Sequence, residues 1–424
     1  MTLTTRPRGT NDVGPGDIEL WHKLEEKIRQ VCAAYGYSEL RTPMFEHTEL
    51  FQRGIGEATD IVEKEMYTFV DRGERSLTLR PEGTAPAVRA YLENNLGAGA
   101  LPVKLYYYGP MFRYERPQAG RYRQFTQFGL EVLGSSDPLL DVEAILLPLE
   151  LYKACGLSGF QVEINSIGCP KCRPSYRQEL VEYFEPHVDR LCSSCRSRLH
   201  RNPLRLLDCK VESCQEVLAG APQIGRHLCP ECSAHFAQVL AYLDALGVDY
   251  KLNHRLVRGF DYYTKTVFEV TSAELGAQNA IGAGGRYDGL VEELGGKPTP
   301  AVGFAVGVER LLLALQGQDK FQAEPAAPHV YLVHFGGESK LRAAQVAYFL
   351  RGQGLWAELD YLERSIKAQM KAANRLGSRY VAIFGEEELG RNSIVLRNMR
   401  DGQEQEINLQ DLKQLAKILG ECGK

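Results

Sequence analysis

The sequence lacks the features that would assign it to several specialised classes of protein. No apolar run approaches the ~18 residues of a membrane-spanning helix. The start, MTLTTRPRGTNDVGPGD, contains no apolar core of the kind found in signal peptides. The chain also has no internal repeat and no low-complexity tract. These absences exclude collagen-like and coiled-coil proteins and predict a cytoplasmic location.

A strong excess of either charge is missing too. The 424 residues include 50 basic and 54 acidic side chains, which gives a net charge of −4, and 44% of the residues are hydrophobic. This composition excludes wholesale disorder, and at ~150 residues per domain the length predicts two or three domains. A nucleic-acid partner stays open, because local fields rather than the total charge attract it.

Apolar periodicity predicts a mixture of helices and strands. Helical patterns cover 17–35 and 85–95. Strand-like runs occur at 77–79, 103–108, 125–133 and 266–270. This mixture predicts an α+β fold with an antiparallel sheet. After Leu315 a polar stretch with two prolines predicts a linker, and alternating strands and helices from residue 329 onward predict a small α/β domain.

The segment 109–134 concentrates residues that bind charged or aromatic ligands. Read as two strands and a loop, it places Arg113 and Glu115 on one face of the first strand. Phe125, Gln127 and Glu131 share a face of the returning strand, while the opposite face is mostly apolar and suits a core. An arginine can grip phosphate and a ring can stack on a base. The same pattern also fits a solvated sheet face with salt bridges.

Four further segments combine turn-forming residues with polar side chains. They are 78–84, which presents Glu82; 256–270, with Arg258 and the pair Tyr262–Tyr263; the glycine-rich 281–290; and 301–315, which leads into a helix carrying Glu309 and Arg310. The glycines of 281–290 predict close backbone approach to a ligand. Taken singly, the last two segments also fit an ordinary turn and a core strand–helix pair.

In this order, the five segments resemble class II aminoacyl-tRNA synthetases, specifically the bacterial type of the histidyl-tRNA synthetase family. FRYERPQAGRYRQFTQFGLEVLG resembles motif 2, GVERLLLAL resembles motif 3, and RTPMFEHTELF resembles the motif 1 region at the dimer interface. LVRGFDYYTKTVFEV and GAGGRYDGL resemble the two histidine-specific peptides. The resemblance implies ATP- and Mg²⁺-dependent activation of histidine, transfer to the 3′ end of histidine tRNA, and a homodimer.

The resemblance also implies roles for individual residues. Arg113 and Arg258 would face the α-phosphate and Arg310 the far end of the ATP phosphates, with Phe125 stacked on adenine and Glu115 near its amino group. Glu82, Thr84 and Gln127 would hold the α-amino group of histidine, while Glu131 and Tyr263, with Tyr262 beside them, would read the imidazole nitrogens. A carboxylate and a phenol suit one donor and one acceptor. Gln118, Arg121 and Arg123 would meet the acceptor end of the tRNA.

Eight of the eleven cysteines fall in four close pairs between residues 169 and 232. The pairs are Cys169/Cys172, Cys192/Cys195, Cys209/Cys214 and Cys229/Cys232. This count fits two tetrahedral four-thiolate structural zinc sites, although the spacing leaves the pairing open. Free thiols remaining from an ancestral site are the alternative. Six basic residues against one acid in 190–210 suit an insertion that touches tRNA.

By resemblance, the catalytic core is an antiparallel sheet over 1–168 and 241–320, interrupted by a helical cysteine-rich insertion at 169–240. A C-terminal α/β anticodon-binding domain would cover 329–424. In that domain Arg364, Lys367, Lys371 and Arg375 follow helical spacing and predict one basic stripe, although a solvated helix face has the same pattern.

Two other functions fit parts of the sequence. One is a catalytically silent paralogue that serves as a regulatory subunit of the first enzyme of histidine biosynthesis. The other is a zinc-dependent RNA-binding module, which accounts for the cysteines but not for an amino-acid pocket. Retention of Arg113, Arg258 and Arg310 and of the C-terminal segment favours the ligase.

Overall fold

The structure is a computed structural model that describes residues 3–56, 59–275, 279–323 and 325–421. The chain divides into two compact units, Met1–Ala323 and Glu324–Lys424. Among the described residues, no helix combines the length and the apolar character needed to cross a membrane.

The described segments contain strands and helices in alternation. The strands are β1 (Ser38–Glu39), β2 (Phe45–His47), β3 (Tyr67–Val70), β4 (Ser76–Leu79), β5 (Val103–Phe112), β6 (Gln124–Leu133), β7 (Phe160–Ser166), β8 (Tyr250–Leu252), β9 (Thr264–Ser272), β10 (Ala280–Arg286), β11 (Ala301–Gly307), β12 (Val330–His334), β13 (Ala357–Leu359), β14 (Tyr380–Phe384), β15 (Ser393–Asn398) and β16 (Glu404–Asn408). The α-helices are α1 (Ile18–Ala34), α2 (Thr48–Ile55), α3 (Thr84–Glu93), α4 (Pro138–Ala154), α5 (Arg173–Phe184), α6 (Ser193–Arg198), α7 (Glu212–Leu218), α8 (Pro230–Ala245), α9 (Leu290–Glu293), α10 (Val308–Gly317), α11 (Gly337–Gly352), α12 (Ile366–Arg375), α13 (Glu386–Gly390) and α14 (Leu412–Glu421).

An eight-stranded sheet forms the centre of the first unit. Its strand order is β1-β5-β6-β11-β10-β9-β7-β8, and all neighbours are antiparallel except β1 with β5 and β7 with β8. A separate three-stranded antiparallel sheet has the order β2-β4-β3. The predicted α+β class with an antiparallel sheet is confirmed.

One face of the large sheet is covered by helices. Phe128, Leu130 and Val132 project from β6 into a core shared with α1, α4 and α10. This is the apolar face that period-two alternation in β6 predicts. The residues of β6 with the opposite parity, including Gln127 and Glu131, point to the other face of the sheet, and that side carries the polar chemistry described below.

Helices α5–α8 lie between β7 and β8 in the chain. α6 and α7 are only 6 and 7 residues long, and short 3-10 turns at Glu185–Arg190, Pro203–Asp208 and Ile224–His227 connect the group. Helices this short are not stable by themselves in water, so packing and side-chain links must hold them. α8 runs to Ala245 and also packs on the helical core of the sheet.

The second unit is an α/β domain. Its sheet has the order β13-β12-β14-β15-β16, with β13, β12 and β14 parallel and the last two joins antiparallel. The predicted alternation of strands and helices to residue 384 is confirmed. The predicted basic stripe is interrupted: Arg364 precedes α12 and is bound by the buried carboxylate of Asp360, whereas Lys367, Lys371 and Arg375 are exposed on the helix.

A fully buried ion pair joins three elements of the first unit. Arg286, at the end of β10, donates to the carboxylate of Asp141 in α4, from Nε at 3.0 Å, and neither side chain is exposed. His235 of α8 lies 3.2 Å from the same carboxylate. Burial opposes ionisation, but Arg286 and His235 hold the pKa of Asp141 below its ordinary value.

We expect Asp141→Ala to destabilise the first unit by about 3–5 kcal/mol, because it removes the fully buried partner of Arg286 and leaves that buried charge with Asp288 alone. Urea unfolding followed by the fluorescence of Trp21 in a Trp356→Phe background measures this unit alone. Glu150→Ala, which removes an exposed pair with Lys153 on the same helix, should cost less than about 1 kcal/mol. Equal small losses in the two variants would contradict the assigned role.

Candidate active site

A cavity of about 1200 Å³ opens on the polar face of the large sheet. Its walls bring together eleven of the residues singled out in the sequence: Glu82, Thr84, Arg113, Glu115, Arg121, Phe125, Gln127, Arg258, Tyr262, Tyr263 and Arg310. Glu131, Gln118 and Arg123 are not among the lining residues. Two segments that are far apart in sequence, 107–127 and 256–310, therefore line this cavity.

Arg113 is held in a fixed orientation at the end of β5. Its Nε donates to the carbonyl of Pro81 at 2.7 Å, and its guanidinium lies 5.3 Å from the centre of the Phe125 ring and 5.9 Å from that of Phe260. Both rings lie within cation–π distance of the guanidinium and favour its charge electrostatically. A phosphate group entering the cavity would meet a preoriented arginine.

Arg258 lies on the opposite wall from β6. Its NH1 nitrogen is 3.3 Å from a carboxylate oxygen of Glu269 in β9, and its buried Nε has no partner among the described residues. The backbone carbonyl of Arg258 accepts from Arg205 at 3.1 Å. A buried polar atom without a partner is unfavourable unless a ligand or water supplies one. The side chain is thus positioned for an anionic ligand.

Glu309 and Arg310 lie in the first turn of α10. Arg310 donates from Nε to the carbonyl of Ala280 at 2.8 Å and lines the cavity. Glu309 accepts from the backbone amide of Thr126 at 2.8 Å, and burial raises its pKa to about 7. The carboxyl of Glu309 therefore ties α10 to β6, which fixes the origin of the Arg310 side chain.

The end of the cavity predicted for histidine is built around α3. Glu82 accepts from the amides of Thr84 and Ala85 at 2.7 and 2.8 Å, which caps the helix, and burial raises its pKa. Gln127 accepts from the hydroxyl of Tyr107 at 3.2 Å. A carboxyl and an amide oxygen at this end suit an ammonium group.

Glu131 lies one layer behind the cavity wall and is 1% exposed. Its carboxyl accepts from the hydroxyl of Thr84 at 2.7 Å and from that of Tyr287. A side chain at Gly303, its partner on β11, would overlap the carboxyl, since a Cβ there would be 2.0 Å from Oε2. Burial raises the pKa of Glu131 to about 8, although the two hydroxyl groups act in the opposite direction.

Three aromatic rings stand beside this carboxyl. The centroids of Tyr262 and Tyr263 are 4.6 Å apart, and those of Tyr262 and Tyr287 are 5.6 Å apart. All three are buried and line the cavity. Tyr287 was not predicted as a site residue, although it belongs to the quoted GAGGRYDGL peptide. Tyr107 and Glu269 were also missed. Alternation in 103–108 places Tyr107 on the face opposite to the tyrosines on either side of it, and this signal could have found it.

The glycine-rich strand β10 only partly opens room for a ligand. Gly282 lines the cavity. At Gly284, however, a Cβ would meet the carbonyl oxygen of Gly303 at 2.3 Å, so the space is taken by the neighbouring strand. The prediction that this glycine admits a ligand is therefore wrong, because close packing between β10 and β11 requires it.

The loop between β5 and β6 is closed by backbone pairing. Gln118 and Arg121 exchange amide-to-carbonyl hydrogen bonds of 3.1 and 2.9 Å. Arg121 lies 3.6 Å from Glu115, and the Arg123 guanidinium stands 3.9 Å from the centre of the Tyr114 ring. The loop therefore presents two arginines near the mouth of the cavity.

The eight clustered cysteines form two groups of four. Cys169, Cys172, Cys229 and Cys232 make the first cluster, and Cys192, Cys195, Cys209 and Cys214 the second; within each, all sulfur atoms lie within 4.8 Å of one another. The Cys169–Cys172 and Cys169–Cys229 sulfur separations are 3.6 and 4.0 Å. Zn–S bonds of about 2.3 Å in a tetrahedron give sulfur separations of about 3.8 Å, so both clusters fit such an ion.

Backbone amides point at the sulfur atoms of both clusters. The amide of Cys229 donates to Sγ of Cys172 at 3.1 Å, and that of Cys192 donates to Sγ of Cys214 at 3.2 Å. Against the effect of burial, hydrogen bonds from backbone amides and neighbouring thiols lower the pKa of Cys169 and of Cys192, whereas burial raises the pKa of four other cysteines of the two clusters. Amide donors aimed at the sulfur atoms would favour the thiolate form that binds a metal.

The antiparallel sheet with its arginine-lined cavity is the architecture of the synthetase class that the motifs resemble. A family model described as Histidyl-tRNA synthetase matches residues 9–311, and one described as Anticodon binding domain matches 329–418. The chain belongs to the histidyl-tRNA synthetase family.

Individual relatives are similar to this chain over almost its whole length. The histidine–tRNA ligase of Desulforamulus reducens is 58% identical over 97% of this chain and 98% of its own, and that of Moorella thermoacetica is 52% identical over 99% and 100%. The crystal structure of apo S. aureus histidyl-tRNA synthetase is 39% identical, with a TM-score of 0.83 over 98% of this chain and 100% of that one. A Bacillus halodurans structure described as an ATP phosphoribosyltransferase regulatory subunit/histidyl-tRNA synthetase is 24% identical and shares the fold, with a TM-score of 0.63 over 88% of this chain and 97% of that one.

The raised pKa of Glu131 predicts how stability changes with pH. The folded protein binds more protons than the unfolded chain between pH 4.5, the ordinary value, and about 8, so this group's stabilising effect falls as the pH rises through that range. Glu131→Gln removes the titration. We expect the stability of the wild type relative to this variant to fall by up to about 1.4 kcal/mol per pH unit between pH 6 and 8.

Urea unfolding of both proteins at pH 6, 7 and 8 measures this difference. Glu292→Gln, which removes an exposed carboxylate, controls for the loss of one charge. A difference that is independent of pH would show that Glu131 is already ionised throughout the range.

Proposed function

We propose that the chain is a histidine–tRNA ligase, which activates L-histidine with ATP to histidyl-adenylate and then transfers it to the 3′ end of histidine tRNA. The observation that carries this proposal is the convergence of Arg113, Arg258 and Arg310 on one cavity that also contains a tyrosine- and carboxyl-lined end. Similarity over almost the full length to proteins named histidine–tRNA ligase supports it. The regulatory-subunit alternative has no comparable support.

In this function ATP occupies the arginine-lined part of the cavity. Phe125 stacks on adenine and Glu115 accepts from its amino group. Arg113 binds the α-phosphate, and Arg310 binds the distal phosphates. The contacts of Arg113 with the Pro81 carbonyl and with the two rings support this assignment, since they orient the guanidinium before substrate arrives.

Histidine occupies the other end. Its ammonium group lies against Glu82, Thr84 and Gln127, and its imidazole faces Tyr263 with Tyr262 beside it. Glu131 lies behind the cavity wall. It binds the imidazole either directly, after a small side-chain movement, or through Thr84 and Tyr287, which are hydrogen-bonded to it and line the cavity. Buried partners that only an imidazole satisfies would penalise other amino acids strongly.

The first reaction needs positioning and charge neutralisation more than acid–base chemistry. A carboxylate oxygen of histidine attacks the α-phosphorus, the bond to the β-phosphate oxygen breaks, and pyrophosphate leaves. Arg113 and Arg258 neutralise the negative charge that develops on the phosphoryl oxygens. A ribose hydroxyl of the tRNA then attacks the carbonyl carbon of the adenylate, and AMP leaves.

Magnesium is implied by the family, and the cavity fits it. Glu269 lines the cavity beside Arg258 and offers the carboxylate oxygens that Mg²⁺ prefers. Bound there with ATP, the ion would neutralise phosphate charge.

Other parts of the chain would serve tRNA binding and assembly. Gln118, Arg121 and Arg123 would contact the acceptor end, and 329–424 would bind the anticodon, with the catalytic core divided into 1–168 and 241–320 around the insertion 169–240. Homodimerisation in the cytoplasm is part of the same proposal. Three apolar side chains are exposed on the three-stranded sheet or just before it, namely Met44, Phe45 and Val70. They support a dimer face near the 41–51 segment.

We further propose that each cysteine cluster holds a structural zinc ion. The sulfur separations and the amide-to-sulfur hydrogen bonds support this assignment. All four ligand positions of each site would be filled by protein thiolates, which leaves none for a reacting molecule. The ions would hold the short helices α5–α8 together rather than take part in the reaction.

Histidine-dependent ATP–pyrophosphate exchange tests the ligase proposal. We expect exchange with histidine and not with other amino acids, followed by charging of histidine tRNA. Arg258→Ala should reduce exchange by about 10²–10³-fold, because it removes a cation aimed at the transition state. Arg29→Ala, on the exposed side of α1, is the matched control. A folded wild type without histidine-dependent exchange would overturn the proposal.

Elemental analysis tests the zinc proposal. We expect two zinc ions per wild-type chain, and one each in Cys229→Ser, from the first cluster, and Cys209→Ser, from the second, because three thiolates bind zinc more weakly than four. A wild type purified without chelator that contains no zinc, even after incubation with zinc under reducing conditions, would refute the assignment.

A further inference from the structure

The first cysteine cluster stands directly behind the peptide that supplies Tyr263 to the cavity. Three separate contacts join residues of the cluster, or residues next to them, to the segment 263–265. Each contact leaves from a different part of the cluster. Their convergence on three consecutive residues links a metal-binding geometry to one end of the cavity.

The first contact is made by Arg173, which follows Cys172 and begins α5. Its guanidinium donates to the backbone carbonyl of Tyr263. The side chain is largely buried, and its Nε has no partner among the described residues. A charged donor held between the cluster and the Tyr263 carbonyl fixes the peptide plane from which the tyrosine ring projects.

The second contact is a pair of backbone hydrogen bonds. The amide of Lys265 donates to the carbonyl of Gly168 at 2.9 Å, and the amide of Ile167 donates to the carbonyl of Lys265 at 2.8 Å. Gly168 immediately precedes Cys169. Lys265 has φ of +49°, a left-handed conformation that is unfavourable for a side-chain-bearing residue and persists only where its surroundings enforce it.

The third contact comes from the other half of the cluster. Glu231 lies between Cys229 and Cys232, and its carboxylate is 3.1 Å from Nζ of Lys265. The same ammonium is 3.3 Å from Asp288, one residue after Tyr287. Thus both halves of the cluster, which are far apart in sequence, hold the same short segment from two sides.

We propose that a metal ion in the first cluster positions Tyr263 through Arg173, Gly168 and Glu231, and that its occupancy thereby sets the affinity for histidine but not for ATP. The inference rests on the proposed function. Four thiolates converge only when an ion compensates their mutual repulsion. Without it, the turn at 169–172 is free to move relative to 229–232, and the two sides no longer fix Tyr263. Phe125 and Glu115 belong to β6 and its loop, and they are linked to Tyr263 only through the rings that flank Arg113, without a hydrogen bond or ion pair among the described residues.

Arg173 is a positioning residue, so its test separates the two substrates. In pyrophosphate exchange we expect Arg173→Ala to raise KM for histidine about tenfold and to leave KM for ATP within about twofold, since one charged hydrogen bond is lost. Arg173→Lys should recover part of the loss. Arg177→Ala, one turn further along α5 and exposed, should behave as the wild type.

The role of the metal is tested with the two cysteine variants and with Glu231→Gln. The Glu231 side chain is exposed, so its replacement leaves the packing of the protein unchanged. Calorimetric titration with histidine should show a larger loss of affinity in Cys229→Ser than in Cys209→Ser, although each variant keeps one zinc ion, because only Cys229→Ser empties the first cluster. Combining Cys229→Ser with Arg173→Ala should give less than the product of the two single losses, because both act on Tyr263. Glu231→Gln should weaken histidine binding about twofold.

Three results would overturn the inference while leaving the proposed function intact. The first is an unchanged histidine affinity in Arg173→Ala, and the second is an equal loss of affinity for histidine and for ATP in that variant. The third is an equal loss of histidine affinity in the two cysteine variants. In each case the wild type exchanges pyrophosphate normally. Absence of exchange in the zinc-loaded wild type would instead contradict the proposed function itself.

Discussion

A carboxyl group buried within the central sheet constrains the whole site. Glu131 cannot be hydrated where it lies, so its oxygens must find partners inside the protein. It takes one from the start of α3 and one from the end of β10, and it needs a glycine opposite on β11. Three elements are therefore fixed relative to β6 by a single side chain. These contacts of Glu131 determine where the tyrosines and the start of α3 lie in the cavity wall.

The cysteine-rich helices solve a different problem. Helices α6 and α7 are short, and the apolar residues around them, such as Leu206 and Leu218, share one cluster with Leu105 and Val267 of the large sheet. Helices this short need packing, a cross-link or a metal to be stable. Cys195 and Cys214 are buried within that cluster, so sulfur ligands and core residues are the same side chains. Packing and metal binding are thereby combined in one set of positions.

Much of the fold was accessible from the sequence, for reasons that particular residues make clear. Alternation in 125–133 identified Phe128, Leu130 and Val132 as core because strand side chains have a strict period of two. The alternation of strands and helices from residue 329 onward was also predicted, and β12, α11, β13, α12 and β14 follow it. Arg364 was wrongly placed on a helix, because spacing cannot reveal that Asp360 binds it before the helix begins. The grouping of the cysteines depends on how the helices between β7 and β8 fold back on one another. The roles of Tyr107 and Tyr287 depend on strands that are distant in sequence and meet only in the folded sheet.

The placement of α5–α8 between two parallel neighbours has a topological consequence. Parallel strands cannot be joined by a tight turn; they need a crossover of a dozen residues or more. Because β7 and β8 are parallel neighbours, the cysteine-rich helices are that crossover, and not an appendage hung on a finished sheet. The edge strand can reach its register only after this long loop has closed, so its addition carries the conformational entropy cost of closing that loop. The residues inside the crossover can therefore change, but the crossover itself is needed for β8 to pair with β7.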